Sequence, residues 1–405
     1  MRITRAQLRP AIEHLVVCGV ALFIVCAVLP VPTLGFELPK FVAFTAGATL
    51  AALILIFSKQ PVLSFVLRNR IGMAFAMFMG VIVLSLLWSV APIASLLGVA
   101  PRFHGVLTYV ALGTLALMAM VLASQNQGLA LLRRGVLTIN IVVVLYGLLQ
   151  MLALDPLGHL WQSEAFLGRT FSLLGHPNAL AQCIVLTLPF VGLAWSRTEE
   201  RVERLWWLML VVLNCTVLFA TASRSGLLGL LLLGLLCSSK LKVYLRTQRD
   251  RIKPEQAFAL SLIVVLCCSI GFVFFTQRFA SSFETGRSSS ARVEIWETML
   301  EMFGDRPIGW GLETLSFTSP RFLTKNIYAY ESLTAVIDRA HNELMQLLVT
   351  AGPLALVSYV WLIVLLLHTA WRERKYDETG MIRASASAIA AFQVTLLFGF
   401  PTIAT

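Results

Sequence analysis

Arg224 lies in a short polar turn between two apolar runs of the chain. The turn is Thr221-Ala-Ser-Arg-Ser-Gly226. A charged side chain deep in a bilayer costs about 2.5–3.5 kcal/mol, so a charge at such a position is a functional candidate. Hydroxyl groups and open backbone amides donate to phosphate. We therefore predict that Arg224, Ser223 and Ser225 form an oxyanion-binding turn. The alternative is an arginine that only extends to the membrane surface.

A second candidate anion site begins the polar part of a long loop, residues 277–340. The segment Gly286-Arg-Ser-Ser-Ser-Ala-Arg292 precedes a predicted helix that ends at about Phe303. Serines cap helix N-termini, where backbone donors and the helix dipole favour an anion. Arg287 and Arg292 add positive charge at this helix start. The alternative is a solvated amphipathic helix.

The same predicted helix carries an apolar face and an acidic face. The apolar face, which we expect to lie on the membrane, consists of Val293, Trp296, Leu300 and Phe303. The acidic face consists of Glu294, Glu297 and Glu301. We interpret these carboxylates as a solvated surface rather than as catalytic groups.

The candidate general base is His341, in the segment Arg339-Ala-His-Asn-Glu343. A histidine titrates near neutral pH and can accept a proton from a substrate hydroxyl. Asn342 is placed to orient this ring or a ligand hydroxyl, and Arg339 adds a cation. The alternative is a histidine that only caps a helix or lines an interface.

A fourth polar segment, 169–178, stands at the entry to an apolar run. A glycine and a proline within it break the helical pattern. Broken backbone at membrane depth is tolerated only within protein or around a water-filled cavity. Arg169, His176 and Asn178 are therefore candidate cavity residues, and the alternative is a capped helix start. Arg102 and His104 form a further pair, for which a plain loop role is favoured.

The composition indicates which solvent surrounds the elements that carry these residues. The chain has 405 residues, of which 58% are hydrophobic and 13% charged. The mean hydropathy is +0.81. Soluble domains have about 25% charged residues, so a soluble enzyme and a disordered chain are both excluded. The formal charge of +11 follows membrane sidedness, which argues against a nucleic-acid partner.

Stretches free of Asp, Glu, Lys and Arg predict eleven candidate membrane helices, since about 20 apolar residues cross a bilayer. The runs are 14–36, 41–58, 71–101, 103–132, 135–154, 170–196, 205–223, 225–239, 256–277, 344–371 and 384–405. The fold class is thus an all-α polytopic membrane protein with about 11–12 transmembrane helices. We predict that Gly352-Pro353 interrupts the tenth run, and that the chain stops within a last apolar run at Thr405.

The distribution of basic residues orients these spans. With the N-terminus inside, roughly two thirds of the 32 lysines and arginines fall in inside connections. The four polar segments then share the outer face. We predict three regions: transmembrane helices 1–9 in residues 1–276, an outer loop with interfacial helices in 277–340, and C-terminal transmembrane helices in 341–405. The shared side predicts a positive cavity for a ligand with a lipid tail and a phosphate or diphosphate head.

Four segments, in order and spacing, resemble the O-antigen ligase superfamily over roughly residues 90–360. They are Arg169–Asn178 followed by Ala-Leu-Ala, the Ser223-Arg-Ser-Gly226 turn, Arg292 with Trp296 ahead of Gly309-Trp-Gly311, and Ala340-His-Asn-Glu-Leu344 with Gly352. This superfamily contains the lipopolysaccharide O-antigen ligases (WaaL type), the O-antigen polymerases (Wzy type) and the protein O-oligosaccharyltransferases.

The resemblance implies a GT-C-like glycosyltransferase of the bacterial inner membrane with its active site on the periplasmic face. It implies transfer of a glycan from undecaprenyl diphosphate to a hydroxyl of lipid A–core. By the same resemblance, His341 is the base, and Arg224 and Arg292 hold the diphosphate. Arg339 is a plausible third cation, and the resemblance gives less ground for Arg169, Arg287 and His176.

The chemistry of such a transfer is compatible with the residues. The donor is already activated, and no nucleotide-binding motif is visible in the sequence. Arginines can bind the leaving diphosphate bidentately, and direct displacement inverts the anomeric centre. No carboxylate cluster suits a divalent metal, so we expect neither a metal nor a cofactor.

Three alternatives remain open at this point. An O-antigen polymerase uses the same donor, but polymerases commonly have two sizeable outer loops, which modestly favours the ligase. A protein O-oligosaccharyltransferase usually has a larger C-terminal extension. A lipid-linked glycan transporter also uses broken helices, but we find no internal repeat. The sugars and the oligomeric state are not predictable from the sequence.

Overall fold

The computed structural model describes residues 36–57, 66–125, 127–158, 168–248, 287–330, 336–403 and 405. Within these ranges the regular structure is helical throughout. The α-helices are α1 (Glu37–Phe57), α2 (Arg70–Leu84), α3 (Pro92–Leu97), α4 (Val106–Ala123), α5 (Gly128–Met151), α6 (Pro177–Arg197), α7 (Arg201–Ala220), α8 (Arg224–Gln248), α9 (Arg287–Asp305), α10 (Leu315–Thr318), α11 (Lys325–Tyr330), α12 (Glu343–Ala351), α13 (Pro353–Glu373) and α14 (Met381–Leu396).

Seven helices in the described part of the chain are long and apolar enough to cross a membrane. They are Glu37–Phe57, Arg70–Trp88, Val106–Ala123, Gly128–Met151, Pro177–Arg197, Arg201–Ala220 and Pro353–Tyr376. Two shorter apolar helices, Arg224–Cys237 and Met381–Leu396, accompany them. These helices confirm the predicted fold class, an all-α polytopic membrane protein. The predicted runs 14–36 and 256–277 lie outside the described residues, apart from the turn at Phe36.

The run 71–101 contains one of these spans, Arg70–Trp88, but the span does not extend over the whole run. Helix α2 ends at Leu84, and a 3₁₀ turn, Ser85–Trp88, follows. The chain then enters the short helix α3 with Pro92 in its first turn. Proline has no backbone N–H and favours the start of a helix over its interior. Residues 89–97 thereby form a connection that follows the span Arg70–Trp88.

The predicted interruption at Gly352-Pro353 separates α12 from α13. Gly352 has φ +91°, a conformation that residues with a Cβ avoid. Proline at the next position starts α13. Because the helix axis is broken here, α12 can belong to the loop region that precedes it while α13 provides the span.

The C-terminal run 384–405 also differs from the prediction. Helix α14 ends at Leu396, and residues 399–402 are irregular. The last described residues therefore do not continue a transmembrane helix. Phe400, in this tail, is 9% exposed.

The chain divides into two compact units. Unit 1 comprises residues 1–139, 286–373 and 396–404, and unit 2 comprises residues 140–285, 374–395 and 405.

Two of the four apolar clusters described in unit 1 include residues of α12. One packs α2 and α4 with α12 and α13, and its buried members include Phe78, Ile82 and Leu347. The other packs α9 with the loop helices and α12, through Ile295, Met299 and Met302.

The second cluster corrects the predicted apolar face of α9. Val293 and Leu300 are exposed, in agreement with a membrane-facing position. Trp296 and Phe303 instead pack against the buried cluster. The face that α9 buries is built on Ile295, Met299 and Met302, because these positions recur at helical spacing on the other side of Trp296.

Unit 2 joins its long helices by buried polar contacts as well as by apolar packing. Asn140 of α5 donates to Thr187 of α6 and to Asn214 of α7, both at 2.7 Å. Asn214 returns a 3.0 Å hydrogen bond to Asn140. Amide side chains between apolar helices satisfy one another and contribute about 1 kcal/mol per contact. Three helices are thus held in register at one level.

Candidate functional site

His341 of unit 1 has a left-handed backbone conformation, with φ +51°. This conformation costs a residue with a Cβ about 1–3 kcal/mol and persists only where its surroundings hold it. Helix α12 begins two residues later, and Asn342 is its N-cap. The Asn342 Oδ1 accepts from the amides of Leu344 and Met345 at 3.0 and 3.2 Å. Because Asn342 provides the cap, His341 is not needed for that role.

The peptide groups just before His341 are fixed from two helices. The amide of Ala340 donates to Gln346 Oε1 of α12 at 2.8 Å. The carbonyl of Ala340 accepts from the indole Nε1 of Trp296 in α9 at 3.0 Å. Ala340 itself is fully buried. These two hydrogen bonds fix the position of the backbone directly before His341.

Arg339 forms a buried ion pair with Glu313. Its Nη2 donates to Glu313 Oε1, and Arg339 and Glu313 are only 5% and 8% exposed. The other oxygen of Glu313 accepts from the amide of Val99 at 3.3 Å. The Nε of Arg339 has no hydrogen-bond partner within the described part of the chain. The only described acceptor for this guanidinium is therefore Glu313.

Arg102 and Phe400 complete the surroundings of this segment. Arg102 Nε bonds Asp338 Oδ2 at 2.9 Å. The ring of Phe400 lies 4.8 Å from the Arg102 guanidinium and 5.3 Å from the centroid of the His341 ring. The guanidinium of Arg339 is 6.0 Å from the same ring. An aromatic ring attracts cations at these distances, so one buried phenylalanine contacts both arginines and the histidine.

The environment keeps the His341 ring neutral at physiological pH. Burial lowers the pKa of His341 to about 4, and the positive charge of Arg292 acts in the same direction. Asp338 opposes this shift, while Arg102 and Arg339 add to it. A neutral imidazole has a free lone pair, so His341 is able to accept a proton at neutral pH.

Helix α9 carries the other predicted cations of unit 1. Arg292 is partly exposed, and its charge acts on His341. The structure therefore brings together His341, Arg339 and Arg292. Arg287 is the first residue of α9, one turn before Arg292.

The carboxyl group of Glu343 lies beneath the same segment. Burial raises the pKa of Glu343 to about 7, the charge of Arg339 opposes the shift, and Glu313 adds to it. Two buried carboxyl groups thus compete for one guanidinium, and Glu313 forms the ion pair.

The Gly309-Trp-Gly311 motif supports the end of α12. The amides of Trp310 and Gly311 donate to the carbonyls of Val349 and Thr350 at 2.9 and 2.8 Å. A Cβ at Gly309 would lie 2.7 Å from the Thr350 carbonyl oxygen. Helix C-termini leave carbonyls without partners, and this loop satisfies two of them. The same loop then leads to Glu313.

In unit 2, Arg224 is the first residue of α8 and is exposed. The turn before it is built by its own hydroxyls. Ser223 Oγ accepts from the amide of Gly226 at 3.3 Å and lies 3.2 Å from Ser225 Oγ. Both serines are buried. Their bonds define the helix start that presents Arg224, and their assignment as anion donors stays a prediction.

Arg169 stabilises this turn from the preceding loop of unit 2. Its Nε donates to the carbonyl of Thr221 at 2.9 Å, and its Nη2 donates to Asn178 Oδ1 at 3.4 Å. The amide of Thr170 also donates to the carbonyl of Ala220, at 3.1 Å. The segment 169–178 thus contacts the backbone directly before Arg224.

His176 is the N-cap of α6. Its Nδ1 accepts from the amide of Asn178 at 3.0 Å, and Pro177 begins the helix. The structure therefore brings Arg169, His176 and Asn178 together in unit 2 and uses their polar atoms largely to build the helix start.

Sequence reasoning missed several residues around His341. The sequence does not single out Glu313, Asp338, Gln346 or Phe400, and it favours a plain loop role for Arg102. Glu313 had a usable signal, because a carboxylate in the segment Gly311-Leu-Glu-Thr314 needs a partner when it is buried. The sequence gives no such signal for Phe400, because an aromatic residue in an apolar run cannot be distinguished from a lipid-facing residue.

Comparison with known proteins places these motifs in a family context. Residues 209–360 match the O-antigen ligase family. This segment contains Arg224, Arg292, Glu313 and His341. The chain is also similar to the ComP-specific O-oligosaccharyltransferase of Acinetobacter baylyi, with 27% identity over 176 residues. The similar part covers 39% of this chain and 30% of the relative, so the chain spans less than a third of that protein's length. Residues 209–360 are therefore similar to the O-antigen ligase family, and the similarity to this relative supports an O-antigen ligase-type superfamily.

Proposed function

We propose that this protein is a glycosyltransferase that moves an O-antigen glycan from undecaprenyl diphosphate to a sugar hydroxyl of lipid A–core. The observation that carries the proposal is the neutral His341 held in a left-handed conformation beside Arg292. The family match over 209–360 supports it at the level of the superfamily. The proposed location is the periplasmic face of the bacterial inner membrane, with the N-terminus in the cytoplasm.

In the proposed reaction, His341 accepts the proton of the acceptor hydroxyl as that oxygen attacks the anomeric carbon of the donor. The bond from this carbon to the diphosphate oxygen breaks, and undecaprenyl diphosphate leaves with the electron pair. The anomeric centre is inverted. A positioned base contributes about 10²–10⁴ in rate.

Arg224 and Arg292 are each proposed to bind the diphosphate. Arginine presents two N–H groups to a phosphate in a fixed planar geometry, and it retains its charge at any physiological pH. Charge builds on the leaving diphosphate as the bond breaks. A cation that contacts it therefore stabilises the transition state more than the bound donor. No step of this scheme requires a metal ion.

A second candidate function is transfer to a protein hydroxyl. It is favoured by one specific observation, the similarity to the ComP-specific O-oligosaccharyltransferase. An O-antigen polymerase, which extends the lipid-linked glycan itself, is a third candidate on the family match alone. All three candidates use a hydroxyl acceptor, and the same base serves each of them.

The deciding experiment uses purified protein in detergent with EDTA and a diphosphate-linked glycan. Lipid A–core and unglycosylated ComP are offered in separate reactions. We expect glycan on lipid A–core and no product with His341→Ala. Glycan on the protein acceptor alone would instead establish the second candidate, and longer lipid-linked glycan would establish a polymerase. Loss of transfer in EDTA that is restored by a divalent cation would refute the metal-independent scheme.

A further inference from the structure

The charge of Arg339 is already matched within the protein. Its guanidinium is buried, and Glu313 is its only hydrogen-bond acceptor in the described ranges. A diphosphate ligand would have to compete with this carboxylate. In contrast, Arg292 is partly exposed. The two arginines of unit 1 are therefore not equivalent as ligands for an anion.

Glu313 is itself held in place by the backbone. It has a left-handed conformation, with φ +59°, directly after the Gly309-Trp-Gly311 loop that bonds the end of α12. One carboxylate oxygen contacts the Val99 amide, so the other is oriented toward Arg339. The backbone conformation of Glu313 and the hydrogen bond from Val99 thus both fix the position of the carboxylate, independently of Arg339.

His341 depends on this pair through only one intervening residue. The peptide groups of Ala340 are held by hydrogen bonds to Trp296 and Gln346. The preceding residue, Arg339, is held by its ion pair with Glu313. Phe400 contacts the side chains of both Arg339 and His341. A shift of the Arg339 side chain therefore reaches the His341 ring along the backbone and through the Phe400 ring.

We propose that Glu313 is a positioning residue, which acts through Arg339 to hold His341 where it can accept a proton. In this assignment Arg339 belongs to the support of the base and does not bind the donor diphosphate. The inference rests on the proposed function of His341 as the base. It goes beyond that function by assigning Glu313 a role and by removing Arg339 from the donor site.

The first test is steady-state kinetics of Glu313→Gln, in which an amide replaces the carboxylate with little change in shape. A misplacement of about 1 Å near a reacting group can cost about 10²-fold in rate. We expect kcat to fall about 10²-fold, while KM for the lipid-linked donor changes by less than about threefold. Glu294→Gln is the matched control, because its carboxylate bonds Thr324 and Asn326 at the surface of unit 1. An equal loss of kcat in both variants would overturn the proposal.

Glu313→Gln leaves the buried guanidinium of Arg339 without its carboxylate partner, and this variant can fail to fold. A second variant is therefore needed. Glu313→Gln combined with Arg339→Met removes both charges. A buried ion pair can often be replaced by apolar groups without loss of stability. We expect this double variant to fold and to show low kcat with an ordinary donor KM. A large increase in its donor KM would show that Arg339 binds the donor, against the proposal.

A third measurement does not depend on transfer activity. The rate at which diethyl pyrocarbonate modifies His341 is followed by mass spectrometry as a function of pH, with exposed His368 as the internal reference. We expect Glu313→Gln to change the rate of modification and its pH dependence at His341, while the rate of modification at His368 stays the same. An unchanged His341 profile would refute the positioning role. If wild-type protein shows no transfer while this shift is observed, the proposed function fails and the structural coupling stands.

Discussion

Segments 338–343 of unit 1 and 169–178 of unit 2 each contain an arginine and a histidine and lead into a helix. In unit 2 the histidine is the N-cap itself, and its Nδ1 accepts from a backbone amide. In unit 1 the residue after the histidine provides the cap, and the His341 ring has no hydrogen-bond partner among the described residues. A nitrogen that accepts a backbone hydrogen bond loses that bond when it takes a proton. A shift of the cap by one residue therefore separates a structural histidine from one that can act as a base.

The arginines of the two segments differ less than the histidines. Arg169 donates to a main-chain carbonyl and to an amide side chain, whereas Arg339 donates to a buried carboxylate. Both side chains thus make contacts that hold neighbouring backbone. The arginines proposed to bind the diphosphate are Arg292, which is partly exposed within α9, and Arg224, which is the exposed first residue of α8.

The largest effect that tests this comparison is expected from the two histidines. His341→Ala should lower kcat by about 10²–10⁴, because the base is removed. It should leave binding of the lipid-linked donor largely intact. His176→Ala should instead cost about 0.5–2 kcal/mol of stability, as the loss of an N-cap does, with a far smaller loss of kcat. Both variants are compared by transfer assays and by thermal unfolding. Equal losses of kcat would contradict the assignment of His341 as the base and His176 as a structural N-cap.

Arg224→Lys should produce the next largest effect. A lysine retains the charge but cannot bind a phosphate with two parallel N–H groups. We expect kcat/KM for the donor to fall about tenfold to hundredfold, from the loss of one charge-assisted hydrogen bond of about 1.5–3 kcal/mol. The control is Arg321→Lys, at the end of a 3₁₀ turn in the loop of unit 1. Full activity of Arg224→Lys would mean that only the charge matters at this position.

The pH dependence sharpens the assignment of the base. The pKa of His341 is about 4 in the folded protein, so kcat/KM should be level from about pH 5 upward and fall tenfold per unit below about pH 4. A bound diphosphate brings negative charge and favours the protonated ring. The corresponding limb of kcat should therefore lie at higher pH than that of kcat/KM. Coincident limbs would indicate that the diphosphate does not approach His341.

The ionisations of His341 and Glu343 change the free energy of unfolding in opposite directions as the pH rises. The pKa of His341 is lowered from 6.5 to about 4 by folding. Its contribution is therefore fully present above about pH 6.5 and is lost as the pH falls through 4. The pKa of Glu343 is raised from 4.5 to about 7, so its contribution is present below about pH 4.5 and is lost as the pH rises through 7. The His341→Ala and Glu343→Gln variants should flatten opposite sides of the unfolding profile.

Arg169→Met tests whether this arginine supports the turn before Arg224. The carbonyl of Thr221 loses its charged donor, which costs about 1–3 kcal/mol when the group is buried. Arg204→Met is a matched control, because Arg204 Nε also donates to a backbone carbonyl, that of Thr198, at 2.9 Å. We expect both variants to unfold at lower temperature and only Arg169→Met to weaken donor binding. Equal donor binding by the two variants would remove Arg169 from the support of the turn.

The sequence was sufficient for the seven spans in the described residues and for the residues that depart from an apolar background. Apolar runs predict spans because lipid demands them, and Arg224, Arg292 and His341 stand out as ionisable groups beside those runs. The partner of Arg339 could not be predicted, since Glu313 lies 26 residues away and their pairing depends on how the loop folds. The division of the run 71–101 depends on local proline geometry, which a count of apolar residues does not register.

The smallest predicted effect concerns the peptide before the strained histidine. Trp296→Phe keeps the aromatic ring but removes the Nε1 donor to the Ala340 carbonyl, which costs about 0.5–1.5 kcal/mol. Trp310→Phe is its match within unit 1, because Trp310 Nε1 donates to the Met302 carbonyl at 2.9 Å. Similar losses of unfolding free energy are expected for both. Only Trp296→Phe releases the backbone next to His341, so only this variant should lower kcat, by a few-fold. Equal kcat values for the two variants would mean that the position of the base does not depend on the Ala340 carbonyl, and that Arg339 and Phe400 hold it instead.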